Sequence, residues 1–281
     1  MGVKGLAPFI RKQCPQYSVK RGLREYYGRV IAIDASFLMC RFVKVMEENT
    51  KQPHMIGLYN FLNEVFEYSI RPLFVFDGNP PQEKGRGDVG PLVKEMRDDW
   101  KRFLQELGLC YVEAPGEAEA QCAILEMRGL VYAVVTDDLD SIAFGTKRIL
   151  TGFGKRGCNE INGEKVRELF GGREKFIEAC VLSGCDYCEG MKGVGMKRAL
   201  SLVREGRTSL TEEMEIAKCL LTLPKVERNL TISWARKSNE SIKQTLENFN
   251  IRKNVTSFIK HYENTFSTRQ LTINEYFSVS K

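Results

Sequence analysis

The chain has 281 residues, 43% of them hydrophobic and 28% charged, with 24 Gly and 9 Pro. That composition is close to the globular average and gives enough length for about two domains' worth of core, which excludes disordered, collagen-like and low-complexity classes. Lys plus Arg total 42 against 36 Asp plus Glu, a net +6 that favours an anionic partner without naming it.

The N-terminus, Met1-Gly2-Val3-Lys4-Gly5-Leu6, lacks a secretory apolar region, and Leu6 sits where a myristoylation signal wants Ser or Thr. No apolar run approaches the roughly 20 residues of a bilayer span. The expectation is a chain that begins here and stays inside the cell. Val30-Ile31-Ala32-Ile33-Asp34 is then a short apolar run ending on an acid, followed by a predicted helix from Ser36 to Glu48. A second helix, about His54 to Ser69, leads into Pro72-Leu73-Phe74-Val75-Phe76-Asp77, which repeats the design. A third, about Pro115 to Met127, precedes Tyr132-Ala133-Val134-Val135-Thr136 and the acids of Asp137-Asp138-Leu139-Asp140. Apolar strands alternating with helices predict an α/β fold, a parallel central sheet flanked by helices. Ligands of such sheets gather beyond the carboxyl ends of the strands, and each of these three strands delivers an acid there.

Beyond about Gly163 the strand signal fades. Helical periodicity dominates, with helices predicted over Glu174 to Ser183, Lys197 to Arg204, Glu215 to Leu223 and Thr256 to Phe266. Ser267 to Lys281 is mostly polar with an isolated apolar cluster, as expected of a tail that cannot pack alone. The predicted organisation is an α/β core at 1–185, a helical region at 186–266 and a tail at 267–281. No internal repeat is present.

Nine cysteines without a signal peptide read as reduced intracellular thiols. Cys180, Cys185 and Cys188, with Cys219 as a fourth, reproduce part of a plant-type iron–sulfur spacing, while small buried thiols explain the same residues. The acids carry more chemistry. Asp138 and Asp140 would share a face if the chain stays extended there, and Glu117 and Glu119 stand at a helix start. Residues i and i+2 on a regular helix point about 200° apart, so spacing alone does not bring Glu117 and Glu119 to one ion. Each acid taken singly is also explained as a cap or turn residue. With only 2 His in the chain, carboxylates suit Mg²⁺ or Mn²⁺ better than a His-rich zinc site.

Five segments in order, Met1 to Leu6, Ile33-Asp34-Ala35-Ser36, Phe74-Val75-Phe76-Asp77-Gly78, Glu113-Ala114-Pro115-Gly116-Glu117-Ala118-Glu119-Ala120 and Ser183-Gly184-Cys185-Asp186-Tyr187, carry a resemblance to the flap endonuclease family, within the wider XPG group of 5′ nucleases. The resemblance implies a PIN-like 5′ nuclease core and a Mg²⁺-dependent, structure-specific nuclease acting on DNA flaps or other junctions in replication and repair, as a monomer. Its metal ligands and catalytic acids fall on Asp34, Asp77, Glu117, Glu119, Asp138, Asp140 and Asp186, around two Mg²⁺ ions for which Mn²⁺ may substitute, leaving a 5′-phosphate and a 3′-hydroxyl. So many carboxylates in one pocket would repel strongly unless cations neutralised them. Setting the seven aside roughly doubles the basic excess of the remaining protein, as suits a body that grips phosphates around an acidic cutting point.

Lys84 falls on the family's phosphate-contacting catalytic lysine, with Arg86 close by as a further DNA contact. Gly190 to Ala199, with Gly193, Gly195, Lys197 and Arg198, resembles the helix-two-turn-helix that holds duplex backbone, often with a bound K⁺; binding there is expected to be independent of base sequence. In the tail, Gln270, Ile273, Tyr276 and Phe277 resemble the binding box for the sliding clamp PCNA, three of them on one face of a helical turn, which implies a nuclear protein.

The chain also departs from the family. Only a short stretch separates Lys84 from Glu117, so most of the helical arch is missing, which implies weaker enclosure of a 5′ single strand. Pro91 is expected to interrupt the helix there, with Arg86, Lys94, Arg97 and Lys101 as substitute charge. Cys40 stands where the family commonly places a Tyr on a base, and Lys51-Gln52-Pro53 leaves little room for a 3′-flap wedge. Two other readings fit fewer residues: a phosphatase using an Asp of the 136–140 segment as nucleophile, and a non-catalytic, clamp-tethered junction binder.

Overall fold

The structure is a computed structural model, and it describes residues 2–45, 52–79, 81 and 91–267. Helix α1 (Leu6–Gln13) and strand β1 (Ser18–Arg21) precede β2 (Val30–Asp34), α2 (Ala35–Val45), α3 (Pro53–Glu67) and β3 (Arg71–Phe76). Then come α4 (Pro91–Glu106), β4 (Tyr111–Glu113), α5 (Ala118–Met127), β5 (Ala133–Val135), the single turn α6 (Ser141–Phe144), β6 (Arg148–Gly154) and β7 (Gly157–Asn162). The rest is helical: α7 (Gly163–Phe170), α8 (Arg173–Ser183), α9 (Met196–Arg204), α10 (Glu212–Thr222), α11 (Asn239–Asn248) and α12 (Val255–Phe266).

The α/β class is as expected, but the sheet is larger than the sequence suggests and not wholly parallel. Seven strands run in the order β1-β7-β6-β5-β2-β3-β4. Strands β6, β5, β2, β3 and β4 are mutually parallel, whereas β7 is antiparallel to both β6 and β1. Every residue of β2 and β3 is buried, which a central strand between two helical layers requires. Pro72 is tolerated inside β3 because β4 pairs only with Phe74–Phe76, leaving Pro72 without a strand on that side. The parallel register sets Asp34 opposite Val75 and Ile33 opposite Val135, so β2, β3 and β5 end at one level.

Pro91 does not interrupt a helix; it begins α4, where the missing N–H would have had no intrahelical partner. Arg97 and Lys101 on that helix are not loose arch charges either. Arg97 Nη2 donates to the Asp77 carbonyl at 2.6 Å, and Lys101 pairs with Glu113 at 3.0 Å while lying over the Phe76 ring.

Two apolar clusters support the sheet. One, centred on β2, β3 and β5, includes Trp100 and Phe103 of α4 and receives Trp234 from the segment before α11 and Leu246, Phe258 and Tyr262 from the C-terminal helices. The other joins α1 to α6–α10 through Leu6, Phe9, Phe144, Phe176 and Val203. The helical stretch after residue 185 is therefore shared between the two: α9 and α10 pack with α8, while α11 and α12 return to α3 and α4. Specific bonds fix that return, with Tyr59 Oη donating to the Lys253 carbonyl at 2.6 Å and Tyr262 Oη to the Leu107 carbonyl at 2.9 Å.

Glu64 of α3 sits against this packing with Oε1 buried and without a hydrogen-bond partner. Burial lifts its pKa from 4.5 to about 7, with Arg41 and Lys155 opposing the shift. The folded state therefore holds a proton on Glu64 between those values that the unfolded state has released, and stability falls as pH rises through that window, levelling off above about 7. Glu64→Gln keeps the shape without the charge. It is expected to raise Tm at about pH 8 by a few degrees and to differ little from the parent near pH 4.5, the melting temperature being followed across that range; a variant less stable than the parent at the alkaline end would contradict this.

Candidate active site

The acids met in the sequence lie at the carboxyl edge of the sheet. Asp34 is the last residue of β2, and Asp77 directly follows β3. Asp138 and Asp140 lie in the turn after β5, with Asp140 capping α6. Glu117 resolves the spacing question left by the sequence: it is not helical. It caps α5 in extended backbone (φ −89°, ψ 139°), while Glu119 is in the first turn, so the 200° separation of a regular helix does not apply. Both are buried, at 4% and 8% exposure, as are Asp34 and Asp140 at 4% each. Charged groups are rarely so buried without partners.

Three overlapping neighbourhoods bring all seven acids together. Cys122 on α5 is wholly buried; burial pushes its thiol pKa up, and the charges of Asp34, Glu119 and Asp77 push it further. Tyr187 is likewise raised by burial first and then by Glu117, Glu119 and Asp140. At Gly2 (φ 103°), an added Cβ would stand 2.8 Å from Asp138 Oδ1 and 2.9 Å from Asp140 Oδ1, and the Gly2 N–H donates to Asp186 Oδ1 at 2.6 Å. Glu119 belongs to the first two sets and Asp140 to the last two, so the cluster is continuous.

Uncharged donors pin the carboxylates. Phe37 N donates to Asp34 Oδ1 at 3.0 Å, Ala118 N to Asp77 Oδ1 at 2.9 Å and Val3 N to Asp140 Oδ1 at 2.6 Å. Asp138 Oδ1 accepts from Asp140 N at 3.1 Å, and the Tyr187 hydroxyl donates to Glu117 Oε2. Sequence reasoning quoted Gly2, Val3 and Tyr187 within motifs but gave them no role, because donors 137 and 184 residues from their acceptors leave no local signature. Asp137 is outside the cluster and holds Gly152 N at 2.6 Å. Among the described residues, no three Asp, Glu, His or Cys side chains form a finished cage for one ion.

The residues expected to form the helix-two-turn-helix lie on an exposed face. Gly193 (φ 77°) needs glycine for its left-handed backbone, and Gly195 caps α9 in extended conformation; a Cβ at either would meet nothing, so the backbone there is open to solvent. Lys197 and Arg198 are exposed in the first turn of α9, anchored by buried Val194 and Met196. A groove of about 630 Å³ runs from them to α1, where it is lined by Pro8, Phe9 and Lys12. Lys12 thus joins the basic face, which the sequence did not suggest. Cys40 is exposed. The iron–sulfur reading finds no support, since among the described residues no three Cys, His, Asp or Glu side chains gather as ligands of one metal. Lys84, Arg86, Gln270, Ile273, Tyr276 and Phe277 lie outside the described residues.

Residues 1–88 match the XPG N-terminal domain and residues 108–186 the XPG I-region. Flap endonuclease 1-B of Oryza sativa subsp. indica is 34% identical over 253 residues, covering 73% of this chain and 61% of the relative. Flap endonuclease 1 of Nematostella vectensis is 32% identical over 267 residues, covering 78% and 71%. The chain thus spans about three fifths of the length of the rice relative. The fold is shared with the catalytic core of Rad2 in complex with DNA substrate (TM-score 0.76, 22% identity, 94% of this chain and 98% of that one). It is shared also with flap endonuclease-1 from Methanococcus jannaschii (TM-score 0.75, 23% identity, covering 89% and 96%).

Close backbone approach holds the two halves of the acid cluster in register. Gly78 N donates to the Gly116 carbonyl at 2.7 Å, and a Cβ on Gly78 would lie 1.9 Å from the Ala114 carbonyl oxygen. Gly78→Ala is therefore expected to push the Asp77 and Glu117 segments apart and to cost about 2–3 kcal/mol, read as a lowered denaturant midpoint with unchanged slope. Parent-like stability would mean that the approach is not tight.

Proposed function

The chain belongs to the XPG-type flap endonuclease family, and from that premise we propose that it is a divalent-metal-dependent, structure-specific 5′ nuclease that hydrolyses DNA phosphodiesters where single strand meets duplex, in replication and repair. The carrying observation is the convergence of Asp34, Asp77, Glu117, Glu119, Asp138, Asp140 and Asp186 on one neighbourhood at the strand ends.

The donor set fits the proposed ions. It offers hard carboxylate oxygens, the chemistry that Mg²⁺ prefers and Mn²⁺ accepts. Mg²⁺ keeps several waters and is commonly bound through one or two carboxylates plus substrate phosphates rather than by an all-protein cage. When bound, two such ions polarise the scissile phosphate, lower the pKa of an attacking water and stabilise the leaving oxygen. The protein's own part is to hold the carboxylates. Gly2 and Val3 N–H orient Asp186 and Asp140, Tyr187 orients Glu117, and Ala118 N–H orients Asp77.

Duplex is gripped elsewhere, by phosphate contacts at Gly193, Gly195, Lys197 and Arg198 and with the aid of Lys12, optionally around a K⁺ ion. We assign strand cutting to 1–185, duplex holding to 186–266 and clamp docking to 267–281; Lys84 and Arg86 are the proposed phosphate contacts near the cut. Docking on PCNA through Gln270, Ile273, Tyr276 and Phe277 places the protein, a monomer in this reading, in the nucleus. No helix among the described residues is long and apolar enough to cross a membrane.

One gel tests the activity. Flap, nicked, gapped and bubble DNA are incubated with and without Mg²⁺, and cleavage at the junction is expected only with the ion. Asp138→Ala combined with Asp140→Ala is expected to lower the rate by at least about 10³-fold while leaving duplex affinity within about twofold. Binding of flaps with no Mg²⁺-dependent product would make the protein a junction binder, and turnover of a small phosphomonoester without regard to DNA structure would make it a phosphatase. For the tail, Tyr276→Ala with Phe277→Ala is expected to abolish retention on immobilised PCNA; undiminished retention would remove the clamp assignment.

A further inference from the structure

The turn that carries Asp186 and Tyr187 is bracketed by two thiols. Cys185 and Cys188 exchange backbone hydrogen bonds, Cys185 N to the Cys188 carbonyl at 2.9 Å and Cys188 N to the Cys185 carbonyl at 3.2 Å, forming an isolated antiparallel bridge. Such a hydrogen-bonded pair has Cα atoms about 5.5 Å apart, within the range a disulfide spans. The side chains lie on the same side, with Sγ to Sγ 3.8 Å. Both residues are buried, at 7% and 5% exposure, which leaves a small oxidant as the agent able to reach them.

We propose that Cys185 and Cys188 are a dithiol modification site, converted by a hydroperoxide to an intramolecular disulfide that displaces Asp186 and Tyr187 and switches the acid cluster off. The balance is two thiols and one hydroperoxide giving a disulfide, an alcohol and water. One sulfur attacks the peroxide oxygen, releasing the alcohol and becoming a sulfenic acid. The second sulfur then displaces that hydroxyl as water, and each sulfur has given up one electron of the two the peroxide takes.

Geometry couples this bond to the acids. A disulfide requires about 2.05 Å between sulfurs, so the pair must close by nearly half its 3.8 Å separation. The base of the turn cannot yield, because a Cβ on Gly190 would already lie 2.4 Å from Gly184 N, and Lys4 N is bonded to the Gly184 carbonyl at 2.8 Å. Cys188 Sγ is itself directed at the Val181 carbonyl at 3.5 Å and must leave it. Rotation of the two side chains supplies part of the closure, and the backbone adjustment that accompanies it falls on the two residues in between. Asp186 holds Gly2 N–H and Tyr187 holds Glu117, so both ends of the cluster are disturbed together.

What the switch gates rests on the nuclease reading; the bond itself does not. The reduced full-length protein is treated with hydrogen peroxide at about one equivalent, alkylated and mapped without reduction. The expected result is a peptide in which Cys185 and Cys188 both escape alkylation and which is lighter by two hydrogens. Amide exchange of the Gly2 to Leu6 segment should accelerate, and Mg²⁺-dependent flap cleavage should fall at least about tenfold and recover with dithiothreitol. Cys188→Ser, and separately Cys185→Ser, should cut at a rate the peroxide no longer changes. Oxidation confined to exposed Cys40 and Cys219, or a Cys185–Cys188 disulfide that leaves both exchange and cleavage unaltered, would overturn the proposal. If the reduced protein cuts no DNA, the nuclease reading fails on its own, and the map and the exchange data still decide whether this dithiol closes and moves the turn.

Discussion

Like charges set the terms for this molecule. Two carboxylates about 4 Å apart repel by roughly 4 kcal/mol at the effective dielectric of a protein site, so a cluster of seven is stable only where something else fixes each one. Among the described residues, uncharged donors hold six of these acids: backbone N–H of Gly2, Val3, Phe37, Ala118 and Asp140, and the hydroxyl of Tyr187. Neutral donors stabilise the anions without cancelling their charge. Such a donor leaves a carboxylate's charge in place, whereas a lysine or arginine in the same position would neutralise it.

These donors come from remote parts of the chain, and the fold exists in large measure to assemble them. The parallel strands deliver Asp34 and Asp77 at one level, and α5 turns back so that its N-terminal amides face Asp77. The chain start then crosses the carboxyl edge, tied at Lys4 to the Gly184 carbonyl and at Ser183 to the Lys4 carbonyl. Because Gly2 lies against Asp138, Asp140 and Asp186 at once, any side chain there would fill the space the acids surround. The second apolar cluster, which carries α1 and α8, determines where this segment lies, so packing remote from the acids controls their spacing.

The sequence made some of this legible and concealed the rest for physical reasons. Strands β2, β3 and β5 are short, have apolar cores and end on or lead into acids, and that pattern reveals both their existence and the edge at which the site forms. Strand β1, Ser18–Arg21, and strand β7, Gly157–Asn162, carry Lys, Arg, Asn and Glu because they lie toward the outside of the sheet, where one face meets solvent. They read as loop, and the antiparallel half of the sheet was missed with them. Pro91 looks like a breaker under the rule for helix interiors, but it occupies the first turn of α4, where that rule does not hold. Glu117 and Glu119 could not be joined by helical geometry because one of them lies outside the helix. The return of α11 and α12 to the first apolar cluster left no sign in their own periodicity, since an amphipathic face does not say which surface it will cover.

An acid cluster that is gathered yet not closed around an ion has a consequence for selectivity in the proposed reaction. A finished cage would bind its cation with or without substrate and would leave the phosphate to compete for the remaining positions. In the proposed reaction a set of hard oxygens short of that closure would be completed by the phosphate itself, so that metal capture and substrate placement would become one thermodynamic event. Reciprocity then requires that a phosphate held in the wrong place weaken the metal by the same factor that the metal weakens it. In the proposed reaction the exposed basic face at Lys197, Arg198 and Lys12 would contact backbone without reading bases and act on that coupling by setting where along the strand the phosphate can lie. Discrimination among DNA junctions would then arise from the distance between a basic grip, which rests on the second apolar cluster, and an acidic edge, which rests on both.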